Sequence, residues 1–148
     1  MAAKTLSVGA PGRSYFSRVL VGFSSALNDV ITIAQAAYAL FTVPANFVVL
    51  RVRTRIITAF TASVTLVIGD GDDTDRFSDS THIAPTSAVT TGNYISGNLA
   101  TAVAGEGGRL YAAADTVDVV VGGATPVAGQ MDCIIEYMCL GEVIDGLL

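Results

Sequence analysis

The sequence predicts an all-β domain, a β-sandwich or barrel, and three observations carry that reading. Residues 47–60 alternate: Val48, Leu50, Val52, Thr54 and Ile56 fall on one side of a strand, and Arg51, Arg53 and Arg55 on the other. The same period of two returns at Val117, Val119 and Val121, and again over residues 131–140, where Asp132 and Glu136 mark a wet face. Between such runs stand turn residues, among them Pro44-Ala45-Asn46, Gly69-Asp70-Gly71 and Gly122-Gly123-Ala124-Thr125-Pro126. At 148 residues the chain makes one domain. Much of its apolar content is Ala and Val set among Thr and Gly, which suits packed strands and argues against a helical bundle.

In chain order, residues 1–17 hold Gly9-Ala10-Pro11-Gly12 and little periodicity, and are expected as an extended N-terminal arm, with the sandwich filling residues 18–148. Within residues 28–41, Val30-Ile31-Thr32-Ile33 favours a strand, and the alanine-rich continuation to Ala39 favours a short helical turn. No charge occurs over residues 30–50, a length that matches a membrane span. Gln35, Pro44 and Asn46 interrupt it, so two buried strands joined by a turn are expected instead. Strands follow at 47–60 and 63–68. Residues 70–107 form a long polar passage with apolar islands at Ile83, Tyr94-Ile95 and Leu99, and strand character resumes at 109–113, 116–121 and 131–140. Cys133 and Cys139 share one face of the last strand about 20 Å apart, too far for a disulfide. They are expected as reduced core residues.

Only 14% of residues are charged, against about 25% in an average chain. Mean hydropathy is +0.58, which favours an oligomer or a protein held against another surface. No continuous apolar stretch marks a secretory signal, because Lys4, Arg13 and Arg18 interrupt the first residues, so synthesis in a cytoplasm is expected. The net charge of −5 conceals a division. Up to Phe60, Lys4, Arg13, Arg18, Arg51, Arg53 and Arg55 stand against Asp29 alone, a balance of +5; beyond it two arginines face twelve carboxylates, a balance of −10. Such a division invites head-to-tail contact or docking on an acidic surface, and carries no meaning if the fold mixes the halves.

Catalytic chemistry finds little support. His82 stands in the polar passage with no nucleophile-elbow sequence near it. Asp70, Asp72 and Thr74 imitate the opening of a calcium loop, but Asp75 occupies the position that requires glycine and Thr81 the one that requires a bidentate glutamate. Gly105-Glu106-Gly107-Gly108-Arg109 is a turn rather than a phosphate cradle. One histidine and no paired-cysteine motif leave no zinc ligand set. The expectation is no enzyme and no cofactor. Direct nucleic-acid binding is not expected, because the arginine strand lacks interleaved aromatics and the isoelectric point is about 4.5. Guanidinium forks suit protein carboxylates better, and Lys4, Arg13, Arg18, Arg51, Arg53 and Arg55 are the candidate docking residues. The plainer reading is that the three strand arginines solubilise an edge strand.

Four segments, Val52-Arg53-Thr54-Arg55-Ile56-Ile57-Thr58-Ala59-Phe60, Val64-Thr65-Leu66-Val67-Ile68-Gly69-Asp70-Gly71, Leu110-Tyr111-Ala112-Ala113-Ala114-Asp115-Thr116-Val117 and Gly129-Gln130-Met131-Asp132-Cys133-Ile134-Ile135-Glu136-Tyr137, resemble small jelly-roll decoration, or cement, proteins of tailed bacteriophages. The resemblance spans most of residues 47–140. It implies a single-domain jelly-roll-like β-sandwich without enzymatic activity, a homotrimer on the outer surface of the virion that bridges major capsid protein subunits. A phage tail or fibre-attachment component is the alternative, and a calcium-assisted carbohydrate-binding sandwich the reading from another class.

Overall fold

The computed structural model describes residues 3–23, 30–32, 37–61, 63–78, 83, 95–97, 108–124 and 128–141, without side-chain detail at 23, 30–32 and 95–97. Among the described residues ten strands form: β1 (Lys4–Thr5), β2 (Ser14–Phe23), β3 (Val30–Thr32), β4 (Ala37–Val43), β5 (Phe47–Thr58), β6 (Val64–Asp70), β7 (Ile95–Gly97), β8 (Arg109–Tyr111), β9 (Asp115–Gly123) and β10 (Gly129–Cys139). There is no helix among the described residues. One sheet has the order β1-β4-β9-β6, the other β3-β2-β10-β5-β7, with β8 also paired to β5. The antiparallel pairs are nested: β2 with β10, β4 with β9 and β5 with β8. That is the pattern of one long hairpin wound over itself, a jelly-roll-like sandwich.

The alternation seen in the sequence builds the interior. Val117, Val119, Val121, Leu66 and Ile68 from the four-stranded sheet face Val52, Ile56, Met131, Cys133, Ile135 and Tyr137 from the six-stranded sheet, all buried. Each such side chain contributes on the order of 1.5–3 kcal/mol by leaving water. Phe47 stacks on Tyr137 with ring centroids 5.7 Å apart. The two cysteines are buried and free on β10, as the spacing required. Burial first, and the neighbouring Asp132 charge second, push the Cys133 thiol well above its ordinary range. Alkylating reagents are therefore expected to leave Cys133 unmodified in the native protein; native mass spectrometry showing stoichiometric labelling would contradict this burial.

Three sequence expectations change. Strand β5 does not alternate evenly: Tyr137 pairs with Val49 and Glu136 with Arg51, so Leu50 is the extra residue of a bulge. Phe47 and Val49 point inward before it, and Val52, Thr54 and Ile56 after it, so Val48 moves to the opposite face. Ala37–Ala39, expected in a helical turn, open strand β4, because pairing to Val120, Val119 and Asp118 overrides alanine's helical preference. Residues 33–36 lie outside the described residues. The described part of the expected arm, residues 3–17, is extended but not free: β1 pairs in parallel with β4, Leu6 is buried, and β2 already begins at Ser14. The Ala10 amide donates to the Tyr15 hydroxyl at 2.6 Å, and the Tyr137 hydroxyl donates to the Ser7 carbonyl.

The described parts of the uncharged run, residues 30–32 and 37–50, are strands and a turn. Pro44-Ala45-Asn46 carries the chain from the four-stranded to the six-stranded sheet, with Asn46 at φ 64°, a left-handed conformation that asparagine tolerates. No helix among the described residues is long and apolar enough to cross a membrane.

The candidate docking face and the acidic end

The outer face of the six-stranded sheet carries the arginines, and the strand register sets who meets whom. Across β2, β10 and β5 one row reads Phe16, Glu136, Arg51; the next Arg18, Ile134, Arg53; the next Leu20, Asp132, Arg55. Asp132, with no exposed side-chain surface, lies between Arg18 Nε at 2.6 Å and Arg55 Nη2 at 3.1 Å. Glu136 lies 2.9 Å from Arg51 Nε and 3.8 Å from Arg53 Nη2. Each carboxylate is thus shared by two guanidinium groups. The cations of the first half of the chain meet the anions of the second within one sheet.

Strand β5 sits between β10 on one side and β7 and β8 on the other, so its arginines are not an edge-strand device. Of the other candidate residues, Arg13 is exposed, and Lys4 Nζ donates to the Arg18 carbonyl at 3.2 Å. Phe16, 61% exposed, and Leu110, 50% exposed, are large apolar side chains on this sheet that the charge pattern did not single out. The signal for Phe16 was available: Tyr15, Ser17, Val19 and Val21 alternate with it, and Ser17 obscured the stripe.

The acidic turn after β6 is built on Asp70. Its position on β6, opposite Val117, aims it between the sheets, where only 2% of it is exposed. One carboxylate oxygen accepts the amides of Asp72 and Asp73 at 3.1 and 3.0 Å, closing the turn. The other accepts the Tyr111 hydroxyl at 2.9 Å and lies 2.7 Å from Arg76 Nε and 3.7 Å from Arg109 Nε. Gly69 is required beside it, because a Cβ there would collide with the backbone of Asp73 and Thr74. Burial first, and the Asp70 charge next, push the Tyr111 hydroxyl far up, so it remains a donor. Asp70, Asp72 and Asp115 place carboxylate oxygens within 4.8 Å of one another. Arg76 and Arg109 already neutralise two of these three charges, Arg109 reaching Asp72 at 2.6 Å. The cluster is therefore a cross-braced end of the sandwich. His82 and residues 105–107 lie outside the described residues.

Asp118, on the outer face of β9, has its carboxyl raised above the ordinary range, mainly by burial; Thr116 opposes the shift, while Asp115 and Asp70 add to it. A raised carboxyl favours the folded state when protonated, and that contribution is lost as pH rises through the folded value. Asp118→Asn is expected to raise the melting temperature at neutral pH and to have no stabilising effect at acid pH. An unchanged difference from acid to neutral pH would contradict the assignment.

No protein-family model and no curated protein matches the chain. Solved structures do. A chain in the cyanophage Pam1 capsid asymmetric unit matches with a TM-score of 0.59 and 19% identity, over 94% of this chain and 92% of that one. A chain in the acidic stable capsid structure of Helicobacter pylori bacteriophage KHP30 matches with a TM-score of 0.59 and 12% identity, over 89% and 92%. At these identities the likeness is one of fold. This chain has the sandwich of components found in two phage capsid structures.

Proposed function

We propose that this chain is a structural virion protein that decorates a tailed-phage capsid on its outer surface and stabilises it by bridging neighbouring major capsid protein subunits, acting as a homotrimer. The observation that carries the reading is the two-sided coverage of the capsid chains: more than nine-tenths of both partners in the cyanophage match. A whole domain is shared, not a strand motif that any sandwich would supply. The chemistry of the surface agrees, since its dominant feature is a face of paired guanidinium groups and apolar side chains suited to a protein partner. Lys4, Arg13, Arg18, Arg51, Arg53 and Arg55 provide docking for a partner's carboxylates. Each exposed pair contributes only about 0–1 kcal/mol, and repetition in an oligomer multiplies the effect through effective concentration. A bridged shell resists rupture because the bridging contacts must break as well.

Purified protein added to heads lacking it is expected to bind saturably, at a stoichiometry comparable to that of the capsid subunits, and to raise the temperature at which the heads release DNA. Binding should weaken as ionic strength rises past the point where the Debye length falls below about 8 Å. Heads that neither retain the protein on sedimentation nor gain heat resistance would refute the reading.

A further inference from the structure

The docking set proposed above is larger than one contact needs, and its Arg51–Glu136–Arg53 part has a second candidate partner, since the chain itself carries a surface of the opposite charge. On the outer face of the six-stranded sheet, among the described residues, four arginines stand with two carboxylates, Asp132 and Glu136. Among the described residues at the end of the sandwich where β6 meets β8, five carboxylates, Asp70, Asp72, Asp73, Asp75 and Asp115, stand with two arginines, Arg76 and Arg109. Asp72 has 68% of its side chain exposed and Asp75 is exposed, whereas Asp70 is buried. Phe16 on the arginine face offers an apolar anchor among the charges.

We infer that the acidic end of one copy docks on the arginine face of a second copy. This deepens the reading above and rests on its oligomer. The two patches are different parts of one surface, so the contact is heterologous. One lies on the flat of a sheet and the other at the tip of the strands, so each successive copy is turned relative to the last. A heterologous contact closes into a ring where the rotation closes and winds into an open helical filament where it does not; the homotrimer proposed above is the closed case. Ion pairs at this contact select the partner and speed the encounter, and Phe16 supplies desolvated area. The carboxylates of Asp72 and Asp75 meet guanidinium groups whose own carboxylate is shared two ways, which leaves N–H donors for an incoming partner.

Two charge-reversed variants of the full chain test this by sedimentation velocity. Asp72→Lys with Asp75→Lys reverses the exposed end while sparing Asp70. Arg51→Glu with Glu136→Arg and Arg53→Glu inverts one triad while keeping its internal ion pairs. Each variant alone is expected to associate about tenfold more weakly than the parent or worse, and an equimolar mixture to regain association in part, because unlike variants complement each other and a three-membered ring can hold two such contacts. Phe16→Ser, at an exposed position, is expected to weaken association with the melting temperature unchanged, which keeps the test decisive should the inverted triad not fold. Parent protein that stays monomeric, or variants that associate as the parent does, would overturn the inference. So would a mixture of folded variants that does not recover. Head binding by the parent, measured beside it, separates the two ideas: a parent that binds heads while staying monomeric would sink the contact alone, and an intact oligomer that ignores heads would sink the decoration role alone.

Discussion

Replacing Arg18 and Arg55 together by serine is expected to destabilise the protein by about 3–5 kcal/mol, the usual cost of leaving a buried charge without its partners. Asp132 is fully buried although it sits on the outer face of its sheet, because the two guanidinium groups cover it. Loss of both takes away the two counter-charges together with part of that cover, so the cost falls toward the lower end of this range. The reverse change is milder. Asp132→Asn frees two arginines whose side chains are 53% and 27% exposed, and they can turn toward solvent. Urea midpoints of the two variants measure the asymmetry. The double variant should also regain stability relative to the parent as pH falls toward the ordinary aspartate value of about 3.9, because the orphaned carboxyl can then take up a proton. Equal midpoints for the parent and the double variant would refute this account of Asp132. The sequence suggests that serine at positions 51, 53 and 55 spares the fold, since these residues lie opposite the core; the pairing of Arg55 with Asp132 predicts otherwise, and docking is better tested by charge inversion within a triad.

Asp70→Ala is expected to cost a similar amount, about 3–5 kcal/mol, for a different reason. It removes the acceptor of the Tyr111 hydroxyl, the counter-charge of Arg76 and Arg109, and the closure of the turn through the amides of Asp72 and Asp73. Asp70→Asn retains a side-chain oxygen for those amides and loses the charge, so it should fall between the parent and the alanine variant. Tyr111→Phe removes a single hydrogen bond and should cost about 0.5–1.5 kcal/mol. Thermal melts of the three variants check the order; an alanine variant no less stable than the phenylalanine one would contradict the cross-brace.

These two sites also show what a sequence discloses. Strands β6, β9 and β10 were legible because valines and isoleucines alternate with polar residues between glycine turns, a local property. The arginine face was legible for the same reason. Its partners were not: Asp132 lies 114 residues from Arg18 and 77 from Arg55, and only strand register brings them together. Asp132 therefore reads as a wet-face residue when it is fully buried. The bulge at Leu50 was hidden for a related reason, since alternation within one strand does not record a slip against its neighbour. Asp70 reads as one carboxylate among several in a turn, because the hydroxyl that distinguishes it is 41 residues away.

Strand β10 lies in the middle of the six-stranded sheet, with β2 on one flank and β5 on the other. In the order of synthesis it comes after both. Until residues 129–139 have left the ribosome, β2 and β5 have an unfilled gap between them and two exposed edges, the kind of surface on which chains aggregate. The nascent protein consequently cannot complete its larger sheet in instalments. Completion of this sheet waits until β10 has emerged and then requires contacts between residues as far apart in sequence as Arg18 and Asp132, which makes it slow for a domain of this size. A ribosome pausing within residues 129–139 would hold the protein in its most vulnerable form.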